Sequence, residues 1–173
     1  CGDCAHRALI PVTGQTVFDH LAGRHTVGVY PLLSDDTCHF LAVDFDDAEW
    51  REDARAFAGS CDVLGVPVAL EVSRSGNGAH AWIFFSGRVQ ARDARRLGTA
   101  LISHTCSRTR QLKLSSYDRL FPNQDTMPKG GFGNLIALPL QKAPRESGGC
   151  VFVDRDLQPH DDQWAFLAGL SKM

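Results

Sequence analysis

The stretch LAVDFDD at residues 41–47 decides the fold of this chain, because it marks the end of a buried strand. Apolar side chains lead into alternating acids there, and side chains at positions i and i+2 of a strand share a face. Asp44 and Asp46 are therefore expected to point the same way. Two close carboxylates repel each other unless a cation neutralises them, and such hard oxygen ligands suit Mg²⁺ or Mn²⁺. The alternative is that Asp46 and Asp47 cap the helix that follows.

Hydrophobic periodicity predicts a regular alternation of strands and helices around this stretch. The order strand, helix, strand, strand, helix, strand is typical of a ferredoxin-like or RRM-like (palm-like) βαββαβ core of the α+β class. In such a core an antiparallel sheet carries both helices on one face. The strands are predicted at residues 38–45, 67–73, 79–85 and 111–116, and the helices at residues 49–64 and 91–107.

Further elements flank this core. A helix at residues 16–22, with Thr13 as its possible cap, and a strand at residues 26–32 precede it. We expect a single domain over residues 1–173, in which residues 1–37 form an N-terminal α/β segment and residues 38–173 form the core and a C-terminal extension. The extension is predicted to contain strands at residues 134–138 and 151–153 and a closing helix at residues 161–170.

The composition is that of an ordinary globular domain, since 43% of the 173 residues are hydrophobic and 22% are charged. No apolar run approaches the roughly 20 residues that span a bilayer, so no membrane contact is expected. Six cysteines are too few for a disulfide scaffold, and we expect a reducing, cytoplasmic setting. Three cysteines lie in apolar segments, where they are expected to act as small core residues: Cys38, Cys61 and Cys106.

The formal net charge of −2 indicates that any contact with nucleic acid is local. The best candidate for a basic patch is the arginine-rich segment at residues 92–110, which is alternatively a solvated helix face. Its arginines are Arg92, Arg95, Arg96, Arg108 and Arg110.

A second signal is the stretch SRSGNGAH at residues 73–80. Small residues join two predicted strands there, so that the backbone can approach a ligand and its amides can cradle an anion. An arginine and a histidine add charge or hydrogen bonds for phosphate groups. The alternatives are an ordinary hairpin loop, because Asn-Gly is a strong hairpin signal, and a core histidine. The candidate ligand-binding residues are Arg74, Ser75, Gly76, Asn77 and His80.

The predicted topology joins the two signals. In a ferredoxin-like unit the first strand lies beside the third and is antiparallel to it. The end of the strand at residues 38–45 therefore meets the start of the strand at residues 79–85. Asp44, Asp46 and His80 are expected to gather at one edge of the sheet, and this convergence favours a functional site over unrelated residues.

These motifs resemble those of the archaeo-eukaryotic primase superfamily. The residues DFD at 44–46 and SGNGAH at 75–80 are similar to its first two motifs. The segments YDRLFPNQD at residues 117–125 and KGGFGNLIALPL at residues 129–140 resemble the primase-polymerase module that is fused to helicases in mobile TOTE-type conflict systems. The resemblance covers nearly the whole chain.

The resemblance implies a DNA primase or polymerase. Such a nucleotidyltransferase joins nucleoside triphosphates on a DNA or RNA template, with a primer strand and two metal ions. Asp44 and Asp46 would hold Mg²⁺ or Mn²⁺, and Ser75 and His80 would bind the incoming triphosphate. A fused or associated helicase is the implied partner.

Five other positions are candidates for ligand binding. The superfamily has a third acid after a later strand, and Asp118 matches it, with Asp125 as the alternative. Lys129 lies in a glycine-rich turn, where it is a candidate contact for triphosphate or template backbone, or else part of a plain flexible loop. Cys1 and Cys4 form half of a possible structural Zn²⁺ site whose other ligands would lie outside this chain; alternatively they are two free thiols.

Two other classes of function stay open from the residues. One is an enzyme that uses a similar palm-like acid pair for another reaction, such as a nuclease or a nucleotide cyclase. The other is a non-catalytic module that binds single-stranded nucleic acid on its sheet. Asp44 and Asp46 disfavour the second class, because they would repel phosphate groups unless a metal ion were present.

Overall fold

The computed structural model describes residues 9–109 and 119–173, which form a mixed α/β fold with antiparallel sheets. The helices are α1 (Gly14–Leu21), α2 (Trp50–Leu64), α3 (Ala91–Arg108), α4 (Lys142–Glu146) and α5 (Gln163–Ala168). The strands are β1 (Gly28–Val29), β2 (Thr37–Phe45), β3 (Ala69–Val72), β4 (Ala79–Gln90), β5 (Leu120–Phe121), β6 (Ile136–Ala137) and β7 (Val151–Val153).

The larger sheet has five strands in the order β5-β2-β4-β3-β7, and every neighbouring pair is antiparallel. Its centre is the long pair β2 and β4, in which Asp44 lies opposite His80 at one end and Thr37 lies opposite Gln90 at the other. The strands β1 and β6 form a separate two-stranded sheet. The other strands of the larger sheet pair outward from this central pair, β5 on β2 and β3 on β4.

Alternating side chains of β2 divide the interior into two hydrophobic layers. Leu41 and Val43 belong to the layer that α2 and α3 cover on one face of the sheet. Ala42 belongs to the layer on the opposite face, together with Trp82 of β4. Because successive strand side chains point to opposite faces, Asp44 shares the face of Ala42 and not that of the two helices.

Local capping signals fix the ends of three helices. Thr13 caps α1, since its hydroxyl oxygen accepts a hydrogen bond from the amide of Thr16 at 3.1 Å. Gly65 ends α2 with a φ of 68°, a left-handed conformation that favours glycine. Asp162 caps α5 by accepting hydrogen bonds from two backbone amides, so this helix begins at Gln163 and is shorter than residues 161–170.

Several strands differ in length from the prediction. β4 extends to Gln90 rather than ending at residue 85, because its last residues pair with the start of β2. The strand expected at residues 26–32 is reduced to Gly28–Val29. The strand expected at residues 111–116 lies outside the described residues. The neighbour of β2 at the sheet edge is instead β5, a two-residue strand that the hydrophobic pattern did not predict.

Cys38 and Cys61 are buried thiols in the layer beneath α2 and α3, as the sequence predicts. No helix in residues 9–109 or 119–173 combines the length and the apolar character needed to cross a bilayer.

The helix-covered layer gives a test of the fold. Phe57 of α2 is fully buried and its ring lies 5.7 Å from that of Phe45. We expect Phe57→Ala to lower the free energy of unfolding by about 3–5 kcal/mol, because it removes a fully buried ring between α2 and β2 and leaves a cavity. The control Phe18→Ala, at a ring that is half exposed on α1, should cost less than about 1 kcal/mol. Urea unfolding followed by circular dichroism measures both, and equal losses would contradict this packing.

Candidate active site

Asp44 and His80 meet across the central strand pair. They are register partners on β2 and β4, and the His80 Nε2 atom lies 3.6 Å from Asp44 Oδ1. The imidazole is 13% exposed and the carboxylate 26% exposed, so both side chains reach the surface at this edge. The structure therefore brings these two predicted site residues together on the sheet face opposite α2 and α3.

A third charged group, Glu71 of β3, continues this row across the sheet. Glu71 is the register partner of His80 and is only 1% exposed. Its Oε2 atom accepts hydrogen bonds from His80 Nδ1 at 2.9 Å and from Trp82 Nε1 at 2.8 Å. The sequence motifs did not single out Glu71. The available signal was an acid inside the apolar run VALEV at residues 68–72, since a charge in a buried strand requires a partner.

The two carboxylates change the proton affinity of the imidazole between them. Burial of the ring acts to lower the pKa of His80, but the hydrogen bond to Glu71 and the negative charges of Glu71 and Asp44 outweigh it. The pKa of His80 therefore lies above its ordinary value. A raised pKa in the folded state adds stability below the unfolded-state pKa, and this stability is lost as the pH rises through the folded-state pKa.

Asp46 lies just beyond the end of β2 and is 56% exposed. The guanidinium group of Arg119 forms an ion pair with Asp46 and lies 3.4 Å from Asp47. The carbonyl oxygen of Arg119 also accepts a hydrogen bond from the amide of Asp44. Since α2 takes Glu49 as its N-cap residue, the interpretation of Asp46 and Asp47 as its caps is wrong.

Metal ligands are incomplete in the described part of the chain. Within residues 9–109 and 119–173, no three side chains of histidine, cysteine, aspartate or glutamate are close enough to hold a metal ion. Asp118, the predicted third acid, lies outside the described residues, as do Cys1 and Cys4 of the predicted zinc motif. The acids that the structure does show at this edge are Asp44 and Asp46, with oxygen donors of the type that Mg²⁺ or Mn²⁺ prefers.

The glycine-rich loop lies at the same edge of the sheet. A Cβ atom on Gly78 would stand 2.8 Å from the carbonyl oxygen of Phe45 and 3.5 Å from the Cα atom of Asp46, so only glycine allows this approach. Gly76 has a φ of 74°, which closes the turn. The loop that precedes His80 is therefore held against the end of β2.

Hydrogen bonds within this loop use some of the groups predicted to bind an anion. The amide of Gly76 donates to the carbonyl oxygen of Ser73 at 2.9 Å, and the amide of Asn77 donates to Ser75 Oγ at 3.1 Å. Arg74, Ser75 and Asn77 are exposed. The loop is thus preorganised by its own bonds, and its polar side chains lie at the surface.

Two other predicted positions lie elsewhere. Asp125 pairs with Arg95 of α3, on the segment that runs from β5 toward the start of β2. Lys129 is exposed and follows Met127, whose amide donates to Asp36 just before β2. Because the nine residues of β2 span about 30 Å, the structure does not bring Asp125 or Lys129 to the Asp44 end of the strand.

The predicted basic patch carries its own acids. Arg95 pairs with Asp125, while Arg92 and Arg96 both lie within 3.5 Å of Asp93. Most of the positive charge on this part of α3 is therefore offset locally, and a role in nucleic-acid contact stays a prediction.

Comparison with protein families identifies the chain. Residues 1–173 match the family described as the TOTE conflict system, Archaeo-Eukaryotic Primase domain. The chain belongs to this family. The match confirms the resemblance found in the motifs around Asp44 and His80, and the superfamily consists generally of nucleotidyltransferases of the primase and polymerase type. No curated protein sequence matches the chain.

The charge row at the sheet edge predicts a measurable shift in this primase domain. Removing the charge of Asp44 by Asp44→Asn should lower the pKa of His80, because one of the two carboxylates that stabilise the imidazolium is lost. The control Asp47→Asn changes an acid that faces Arg119 and should leave the His80 titration unchanged. NMR titration of the ring resonances with a chelator present measures both, and an unchanged His80 pKa in Asp44→Asn would contradict this assignment.

Proposed function

We propose that this domain is a template-dependent nucleotidyltransferase, a primase-polymerase that joins nucleoside triphosphates on DNA or RNA. The observation that carries the proposal is the pairing of Asp44 with His80 across two strands, 3.6 Å apart, beside a glycine-rich loop. Asp44 can hold a metal cation, and the protonated ring of His80 can bind a phosphate group. Both side chains lie at the same edge of the sheet. Membership of the archaeo-eukaryotic primase family supports this assignment over a nuclease, a cyclase or a binding module.

Asp44 and Asp46 are the proposed ligands of Mg²⁺ or Mn²⁺, with Asp118 as the third. The carboxylate of Asp44 is partly exposed and that of Asp46 is exposed, and Mg²⁺ is commonly bound by one or two carboxylates together with substrate phosphates. The carbonyl oxygen of Arg119, the sequence neighbour of Asp118, accepts a hydrogen bond from the Asp44 amide. The metal would activate the primer hydroxyl and stabilise the leaving pyrophosphate.

The chain's own groups would position the triphosphate. The pKa of His80 lies above its ordinary value, which favours the protonated ring. The Nε2 atom lies beside Asp44, where it can donate a hydrogen bond to a phosphate oxygen. Ser75 and Arg74 on the exposed loop are proposed to contact the same triphosphate, together with Gly76 and Asn77. Lys129 is proposed to contact template backbone rather than the nucleotide, because it lies toward the far end of β2.

We extend the proposal to the fold and its partners. The strands β5, β2, β4 and β3 with α2 and α3 on one face are proposed to be the ferredoxin-like unit, with β5 as its fourth strand. The proposed partners are template and primer strands and a fused or associated helicase, in the cytoplasm.

The acid pair gives the decisive test. In a template-dependent incorporation assay with Mn²⁺ or Mg²⁺, the double variant Asp44→Ala, Asp46→Ala should lose at least about a thousandfold in activity, because the metal ligands are removed. The matched double variant Asp156→Ala, Asp161→Ala removes two exposed acids from the loop after β7 and should retain activity. Equal incorporation by wild type and the Asp44, Asp46 variant would remove the enzyme assignment.

His80 is tested separately by nucleotide binding. His80→Ala should weaken the binding of a nucleoside triphosphate by about tenfold, because one charge-assisted hydrogen bond to phosphate is lost. His39→Ala, at an exposed position near the other end of β2, should bind as wild type does. Isothermal titration calorimetry measures both affinities, and an unchanged affinity in His80→Ala counts against its role.

A further inference from the structure

Glu71 is a buried carboxylate for which the proposed reaction has no use. It lies in β3 on the sheet face opposite α2 and α3, and it is 1% exposed, so neither a metal ion nor a phosphate group reaches it from solvent. Burial of a carboxylate is costly unless its oxygens accept good hydrogen bonds. Because Glu71 is buried at this energetic cost beside His80, its hydrogen bonds indicate its role.

The contacts of Glu71 fix the ring of His80. One oxygen, Oε2, accepts from both His80 Nδ1 and Trp82 Nε1, at 2.9 Å and 2.8 Å. An ionised carboxylate has no proton to donate, so Nδ1 must carry the hydrogen of this bond. The other ring nitrogen, Nε2, is then directed to the Asp44 side of the ring. The orientation of the imidazole, and the tautomer of its neutral form, are thus set from the buried side.

Trp82 in turn holds the carboxylate in place. Its ring is 2% exposed and meets the ring of His80 edge-on, with centroids 5.8 Å apart and planes at 80°. Because the indole N–H binds the same oxygen as His80, the Glu71 side chain cannot turn away without leaving a buried donor unpaired. Trp82 therefore holds Glu71 in place, and Glu71 holds His80.

We propose that Glu71 is the positioning residue of the nucleotide site, holding His80 so that Nε2 is presented to the triphosphate. This inference rests on the proposed function of His80. A histidine that is already oriented loses less rotational freedom when the nucleotide binds, so the gain appears in nucleotide affinity. The contribution is made equally to substrate and transition state and is therefore expected in KM rather than in kcat.

Two substitutions at Glu71 separate orientation from other effects. Glu71→Leu removes both hydrogen bonds at similar volume and should raise the KM for the nucleotide about tenfold, with kcat changed less than about threefold. Glu71→Gln retains an amide oxygen that can accept from His80 and Trp82, so its KM should stay within about threefold of wild type. Steady-state incorporation on a primed template measures both parameters.

A matched control accounts for lost stability. Phe152→Leu alters a fully buried residue opposite Glu71 on β7, on the same face of the sheet but away from His80. It should lower the melting temperature without changing the KM for the nucleotide. If Glu71→Leu does not fold, Trp82→Phe takes its place. This substitution removes the hydrogen bond from Trp82 to Glu71 and should raise the KM for the nucleotide about threefold.

The outcomes distinguish this inference from the proposed function. If the separate variant His80→Ala raises the KM for the nucleotide but Glu71→Leu leaves it unchanged, the positioning role is overturned and the proposed function stays intact. A Glu71→Gln variant as impaired as Glu71→Leu would also overturn it, because the acceptor would then not be the cause. If wild type incorporates no nucleotide, the function fails, and ¹⁵N NMR of His80 decides the positioning role: at a pH where the ring is neutral, Nδ1 should carry the proton in wild type and lose this preference in Glu71→Leu.

Discussion

The register between β2 and β4 is the constraint on which the site depends. Side chains alternate between the two faces of a strand, so a slip of one residue would move His80 beneath the helices and leave Asp44 without its neighbour. The slip is prevented by the apolar residues of β2, since Leu41 and Val43 must stay in the layer covered by α2 and α3. The packing of the hydrophobic core thus decides which polar groups meet at the surface.

A second constraint follows from placing a buried acid in this row. Glu71, His80 and Asp44 are register partners on three adjacent strands, so the imidazole lies between two carboxylates. Each carboxylate stabilises the protonated ring, and the ring separates charges that would otherwise repel each other. The buried acid also affects Cys150, where burial first, and the charge of Glu71 next, raise the pKa of the thiol to about 11. The thiol stays neutral, which avoids a further negative charge beside Glu71.

The sequence predicted the meeting of Asp44 with His80 because both signals are local and the antiparallel topology joins them. Strand periodicity set the face of Asp44, and the glycine-rich loop set the start of β4. Glu71 was not predicted, since its role depends on which residues of neighbouring strands lie opposite it, and a single acid in a strand does not reveal that. Arg119 was also missed, because its position beside Asp46 follows from the two-residue strand β5, which is too short for a hydrophobic period.

The balance of charge at the edge bears on what the site can accept. Among the described residues, the carboxylates of Asp44, Asp46, Asp47 and Glu71 outnumber the cations of His80, Arg119 and Arg74, even when His80 is protonated. Arg119 offsets part of the negative charge at the exposed end, while His80 offsets part of it at the buried end. A triphosphate alone would add to this excess and be repelled, whereas a triphosphate that arrives with a divalent ion would not. The same acids that would exclude a bare polyanion would therefore favour its metal complex.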